Sequence, residues 1–241
     1  MTHKHDNYYA DKHKRLDRFA FNEQVVEVFP DMIQRSVPGY ATIIAMTGII
    51  AGRYAQPGSN GYDLGCSLGA STLAMDREIH NPDFTIIGVD NSAPMIERCQ
   101  HNITNSHCNI ALRCEGIEDT HIEDASVVVL NFTLQFVPAE KRDPLIKRIG
   151  TAMRPGGVLI LSEKTCFADE HMQNLNTELH HAFKRANGYS DMEVAQKRSA
   201  LENVLIPETL DRHRQRLTSA GFNSIDVWFQ CFNFASLVAI K

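Results

Sequence analysis

Apolar and polar positions fall in blocks along the chain, and the period changes from block to block. From Phe21 to Arg35, Val25, Val26, Val28 and Phe29 mix with Glu23, Gln24 and Glu27. That is the pattern of a short helix, punctuated by Pro30 and Pro38. Tyr40 to Tyr54 is more apolar, with Ile43, Ile44, Met46, Ile49 and Ile50, and reads as a second helix. Pro57-Gly58 then turns the chain. A first strand ends at Tyr62-Asp63-Leu64, and Gly69 to Met75 continues in helical composition. Phe84 to Asp90 is a second strand, and Ser92 is placed to cap a helix through Pro94 to Arg98. Ile110 to Cys114 is a short third strand. Ala125 to Asn131 is the fourth, continuously apolar, as a strand covered on both faces requires. A helix from Asp143 to Met153 leads through Arg154-Pro155-Gly156-Gly157 to the strand Val158 to Glu163.

The last third departs from this alternation. Glu170 to Asn203 reads as a long helical insertion broken at Asn187-Gly188-Tyr189-Ser190, and a helix from Glu208 stops at Gly221. The strands Ile225 to Phe229 and Phe232 to Ile240 close the chain as a hairpin. The expected fold is α/β: a doubly wound, mostly parallel seven-stranded sheet with an antiparallel C-terminal hairpin and helical insertions. Residues 1–20 are expected to be a mobile lead-in and 21–241 a single domain, with a helical cap over 21–55 and a helical insertion over 168–205.

Composition narrows the function. The 241 residues are 43% hydrophobic, enough for one sizeable core. No apolar run is long enough for a membrane span, and Met1-Thr2-His3-Lys4-His5-Asp6 has no apolar signal region, so a cytoplasmic setting is expected. The six cysteines (Cys66, Cys99, Cys108, Cys114, Cys166, Cys231) include no C-x-x-C pair, so free thiols and no metal site are expected. A formal net charge of −5 disfavours a phosphate-tracking surface. Apart from a local patch at Lys184-Arg185 and Lys197-Arg198, it favours a small-molecule substrate over direct nucleic-acid binding.

The candidate chemistry lies in Tyr62-Asp63-Leu64-Gly65-Cys66-Ser67-Leu68-Gly69, which reads as strand end, glycine turn and helix start. One reading is a nucleotide site, since Asp90 ends the next strand about 20 residues on, where a ribose-binding carboxylate belongs. A second is a serine hydrolase, because Gly65-Cys66-Ser67-Leu68-Gly69 is G-x-S-x-G on a strand-turn-helix, although no histidine follows a late strand in the required place. A third is a turn that only joins strand to helix.

The acid-turn-acid pattern resembles the class I S-adenosylmethionine-dependent fold, whose first strand ends in Asp/Glu-x-Gly-x-Gly-x-Gly. Ser67 stands here for the middle glycine. Under that resemblance Gly65, Cys66 and Ser67 face the amino-acid end of S-adenosylmethionine, and Asp90 takes the ribose hydroxyls. Asn91 flanks the adenine, Gly116-Ile117 lines its edge, and Asn131 points toward the sulfonium.

Longer stretches resemble the carboxy-S-adenosylmethionine synthase family. They are Phe29 to Tyr40, Tyr62 to Gly69, Leu130 to Phe136, Phe183 to Ser190, Gln196 to Ser199 and Trp228 to Phe234. The resemblance implies an enzyme that transfers no methyl group. It takes S-adenosylmethionine and prephenate and yields carboxy-S-adenosylmethionine and phenylpyruvate. A partner enzyme, a tRNA carboxymethyltransferase, then uses the product on the wobble uridine. It also implies a homodimer, and ligand contacts at Tyr40, Gly65, Cys66, Ser67, Asp90, Asn91, Asn131 and Arg198. Arg198 is there to grip the new carboxylate. An Asp-Ile pair expected after the third strand reads here as Gly116-Ile117, with Glu115, Glu118 and Asp119 nearby. Two rivals remain: an ordinary methyltransferase of a small molecule, and a noncatalytic subunit of a tRNA-modifying enzyme.

Overall fold

The computed structural model describes residues 4–10, 19–104 and 106–241. In its sheet, β1 (Asn60–Leu64) is flanked by β2 (Thr85–Asp90) on one side and β4 (Ala125–Asn131) on the other, both parallel to it. The remaining strands are β3 (Asn109–Cys114), β5 (Met153–Lys164), β6 (Ser224–Cys231) and β7 (Phe234–Ile240). The sheet order is β3-β2-β1-β4-β5-β7-β6, and β7 runs antiparallel to both neighbours. The chain winds outward from β1 to β3, then restarts on the other side at β4. That reversal opens a crevice beyond the carboxyl ends of β1 and β4.

β4 shows why the sheet is covered on both faces. Val128 and Leu130 join one core cluster, with Leu64, Leu145 and Leu217. Val127 and Val129 join another, with Phe84 and Ile160. Successive side chains of a strand point to opposite faces, so only an unbroken apolar run serves both.

Among the described residues, eight α-helices pack around the sheet: α1 (Glu23–Ser36), α2 (Tyr40–Tyr54), α3 (Ala70–Glu78), α4 (Ala93–Asn102), α5 (Ala139–Ala152), α6 (Glu170–Ala186), α7 (Asp191–Leu201) and α8 (Leu210–Ser219). Asn22 caps α1, Ser92 caps α4 and Asp169 caps α6, each side chain accepting a backbone N–H from the first turn. Helix α2 lies hard against α3: a Cβ on Gly48 would fall 2.4 Å from the Ala74 carbonyl oxygen.

Several boundaries differ from the sequence pattern, and three of them have a visible cause. Helix α5 begins at Ala139 rather than Asp143 and keeps Pro144 inside it. The buried Arg142 side chain anchors that first turn, donating to the Val137 and Gln135 carbonyls and pairing with Glu208 at 2.7 Å. Strand β5 starts at Met153, because Met153 already pairs with Ala125, and Arg154 to Gly157 bulge out before pairing resumes at Val158 opposite Val127. Helix α8 starts at Leu210, because Thr209 rather than Glu208 supplies the cap.

Residues 4–10 do not behave as a free lead-in. Asp6 is buried, its N–H donating to Asp31 Oδ2 at 2.7 Å and its carboxylate accepting from the Tyr189 hydroxyl. Arg35 Nη1 donates to the Asp6 carbonyl at 3.0 Å. The rest of the expected mobile segment, residues 1–3 and 11–18, lies outside the described residues.

Candidate active site

The turn after β1 is built by its neighbours. Gly65 has φ 85°, and a Cβ there would fall 2.2 Å from Thr133 Oγ1. Only glycine meets both demands. The amides of Gly65 and Cys66 both donate to the Val89 carbonyl, at 2.8 and 2.9 Å. The Ser67 amide donates to Asp90 Oδ2 at 2.9 Å, and Asp90 Oδ1 accepts from the Ser92 amide at 2.9 Å. Asp90 thus fixes the turn, and burial raises its pKa. Each of its oxygens keeps a second lone pair for a ligand hydroxyl.

Ser67 sits at φ 50°, in the left-handed region. The backbone therefore keeps the conformation a glycine adopts there freely. Its hydroxyl is hydrogen-bonded to Met95 Sδ at 3.4 Å, and among the described residues no histidine is bonded to it. The hydrolase reading of G-x-S-x-G fails for want of a base. Asp63 is fully buried and accepts from Thr72 Oγ1 at 2.6 Å, and burial pushes its carboxyl up to about 6. It holds the start of α3 and does not line the cavity.

Beyond the strand tips lies one cavity of about 650 Å³. Tyr40, Gly65, Cys66, Ser67, Asp90, Asn91, Ile117 and Asn131 all line it. Gly116 does not; Ile117 and Glu118 take that edge. Asn131 donates from Nδ2 to Ser71 Oγ at 2.9 Å and to Thr47 Oγ1 at 3.2 Å. These bonds fix the amide, and its Oδ1 is left buried with no partner. A fixed, unpaired acceptor suits a cationic group. The turn points the same way. Its three amides are used inside the fold, so they offer no cradle for a pyrophosphate, which needs free N–H groups. Ala70 and Ser71, in the first turn of α3, also line the cavity, and N–H groups there lack intrahelical acceptors. They suit a carboxylate.

Arg198 is not brought to this cavity. It is exposed on α7, beside a separate surface depression with His181, Arg185 and Asp191. Its neighbour Lys197 faces inward instead. Adjacent helix residues point about 100° apart. The Ser190–Glu193 capping box starts α7 in the phase that puts Val194, Lys197 and Leu201 on the inner stripe.

Several lining groups escaped the sequence reading. Along one wall Phe21 meets Phe19, Phe29 and Phe136 edge-on, with centroids 5.0 to 5.8 Å apart. Phe19 N donates to the Ala200 carbonyl at 3.1 Å, and Ser92 Oγ donates to the Phe21 carbonyl at 2.7 Å. This short segment bars the cavity from α7 to α4. The opposite end holds Lys164, Lys184, Lys197 and His180, with Phe132 and Phe234 beside them. His180 Nε2 donates to the Ser36 carbonyl at 2.8 Å. Burial and the nearby lysines push the imidazole down to about 2, so it is neutral and a weak base.

Comparison with known proteins follows from this geometry. Carboxy-S-adenosyl-L-methionine synthase of Trichlorobacter lovleyi is 59% identical over the whole of both chains. The enzyme of the same name from Citrifermentans bemidjiense is 58% identical, again over both full lengths. That from Marinobacter nauticus is 60% identical over 92% of this chain and 90% of its own. The chain belongs to the carboxy-S-adenosyl-L-methionine synthase family. It is an enzyme of that family, and every part of its length takes part in the match. A family model described as a methyltransferase domain matches residues 62–157, the stretch from β1 into β5. Solved structures agree on the fold. Human N-acetylserotonin methyltransferase, in complex with SAM, gives a TM-score of 0.60 at 16% identity over 91% of this chain and 55% of that one. A cyclopropane synthase from Mycobacterium tuberculosis gives 0.57 at 16% identity over 76% and 62%. The synthase family thus uses the class I methyltransferase architecture.

Proposed function

We propose that this enzyme converts S-adenosylmethionine and prephenate to carboxy-S-adenosylmethionine and phenylpyruvate. The observation that carries the reading is the end-to-end identity with synthases of that name. The cavity supports it. Asp90 is placed for the ribose hydroxyls, Asn131 Oδ1 for the sulfonium methyl, and Ala70 and Ser71 for the amino-acid carboxylate. Further room in the same cavity, toward Tyr40 and the lysines, accepts a second substrate. Its volume lies within the usual range for ligand sites.

The chemistry balances without a protein base. The bond from the prephenate ring to its carboxyl carbon breaks, and its electron pair aromatises the ring and expels hydroxide. The hydroxide takes a proton from the sulfonium methyl, acidified by the positive sulfur, and leaves as water. The methyl carbon's electron pair then bonds to carbon dioxide, giving the carboxymethyl sulfonium. The chain positions both partners and excludes water. His180 is too weakly basic to compete for the proton, and burial holds the Tyr40 phenol protonated, its pKa raised. Prephenate carrying carbon-13 in its ring carboxyl tests the step: the label is expected in the carboxymethyl group, and product without it overturns the transfer.

For Arg198 the family resemblance and the single-chain geometry differ, and Arg198→Ala decides between them. Intact S-adenosylmethionine binding with loss of the carboxylated product supports the role the resemblance gives it. Retention of both leaves the anion to the cavity's own lysines.

The product serves as carboxymethyl donor to a tRNA enzyme acting on the wobble uridine. The reaction is placed in the cytoplasm and the enzyme is a homodimer. Among the described residues no helix is long and apolar enough to cross a membrane. Met172, Leu175 and Leu179, exposed at spacings of three and four on α6, are the proposed dimer surface. The mass of the nucleoside formed from S-adenosylmethionine and prephenate tests the reaction. A species heavier by one carboxyl group supports the synthase. Demethylated nucleoside instead supports a methyltransferase, and no turnover supports a noncatalytic subunit.

A further inference from the structure

Across from the glycine turn the cavity ends among cations. Lys164 comes from the tip of β5, Lys184 from α6 and Lys197 from α7, and all three line the one cavity. Lys184 is 6% exposed and Lys197 5%. Buried ammonium groups are ordinarily paired, because removing a charge from water is costly. Lys197 meets that rule in part: it donates to Ser36 Oγ at 2.9 Å and stands 3.9 Å from Asp6. Among the described residues, the Lys164 and Lys184 side chains have neither a carboxylate at ion-pair distance nor a hydrogen bond. The neighbouring groups do not neutralise them. His180 is uncharged, and Arg35 adds positive charge on the far side of the Tyr189 ring, 3.9 Å from its centroid. Burial and the charges of Lys197 and Lys164 push Lys184 down to about 7, and burial pushes Lys197 to about 8 against the opposing effect of Asp6. Burying Lys164 and Lys184 costs the fold stability, and no carboxylate or hydrogen bond among the described residues offsets it. An anionic ligand reverses that balance.

Resting on the function proposed above, we infer that Lys164, Lys184 and Lys197 form the subsite for the carboxyl donor, and that they select a dicarboxylate. The argument is one of retention. A donor held by a single carboxylate loses its hold as that group departs as neutral carbon dioxide. A second carboxylate, kept through the reaction and held on the lysines, anchors the skeleton during transfer. The donor's ring then lies along Tyr40, Phe132 and Phe234, an apolar wall between the lysines and Asn131.

Lys184→Met and Lys197→Met test this, with Lys184→Arg as the charge-retaining control. Calorimetric titration of the S-adenosylmethionine-saturated full chain with prephenate reads the subsite without turnover. Each methionine variant is expected to bind prephenate about 10- to 100-fold more weakly, the loss of one charged hydrogen bond. Lys184→Arg should restore most of the binding, and S-adenosylmethionine affinity should stay within about twofold. Lys184→Met should melt no lower than wild type, since it removes an uncompensated buried charge. A purely structural lysine predicts the opposite: a lower melting temperature and unchanged prephenate binding. Unchanged prephenate binding in both methionine variants, or no binding of prephenate by the wild type, overturns the subsite. Wild-type protein that binds prephenate yet forms no heavier nucleoside overturns the reaction while the subsite stands.

Discussion

Asp90 does two jobs with one carboxylate. It ties the Ser67 amide to the Ser92 amide, and in the proposed reading its remaining lone pairs take the ribose hydroxyls. Asp90→Ala is expected to weaken S-adenosylmethionine binding by about 1.5–3 kcal/mol, measured by titration. Glu163 is its structural counterpart after β4: it is buried, and it accepts from the Leu134 and Gln135 amides at 2.9 and 2.8 Å. Glu163→Gln places an amide donor against one of those N–H groups. The cost should be about 1–3 kcal/mol in denaturant unfolding. Lys184 gives a pH signature. Its folded pKa is depressed to about 7 from an ordinary 10.5, so the unfolded chain binds more protons between those values and wild-type stability gains with pH there. The stability advantage of Lys184→Met is therefore expected to be largest below about pH 7 and to vanish toward about pH 10, read by thermal melts across that range. At this scale the sequence was legible where a residue's role is set by its strand. Asp90 and Asn131 end β2 and β4, and strand ends converge in this architecture. Lys197 and Arg198 were not separable, because which of two adjacent cations faces inward depends on where the helix starts.

Among the elements, α7 carries the most consequence for its length. The capping box joins the Ser190 hydroxyl to the Glu193 amide, and the Glu193 carboxylate back to the Ser190 amide at 2.8 Å. It sets the phase that turns Lys197 inward. Ser190→Ala should cost about 0.5–2 kcal/mol in global stability, seen as a lower melting temperature. It should also weaken prephenate binding more than S-adenosylmethionine binding, because the nucleoside half of the cavity does not rest on α7. The breaks and periods that marked the elements were plain in the sequence: the interruption at Asn187 to Ser190, the apolar run of β4, the closing hairpin. The start of α5 was not. Ala139-Glu140-Lys141-Arg142 looks like a polar loop, and only the burial of Arg142 against Glu208 and two carbonyls makes it helical. Interactions across 66 positions of sequence leave no local trace.

For the molecule as a whole, the apolar stripe of α6 is the surface on which the proposed homodimer rests. Light scattering is expected to give about twice the 27.1 kDa of one chain, and Leu179→Glu is expected to return it to one. The two halves of the cavity come from different parts of the chain, the nucleoside half from β1 to α4 and the basic half from β5, α6 and α7. They are joined at the mouth by residues 19–22, fastened by the Phe19 amide on one side and the Phe21 carbonyl on the other. A bar fastened at both ends governs the timing of ligand exchange more than its strength. If a bulky nucleoside leaves past this segment, at least one of those two bonds has to break. Dwell time on the enzyme should then follow the opening rate of that segment, and deuterium uptake at the Phe19 amide would count the openings.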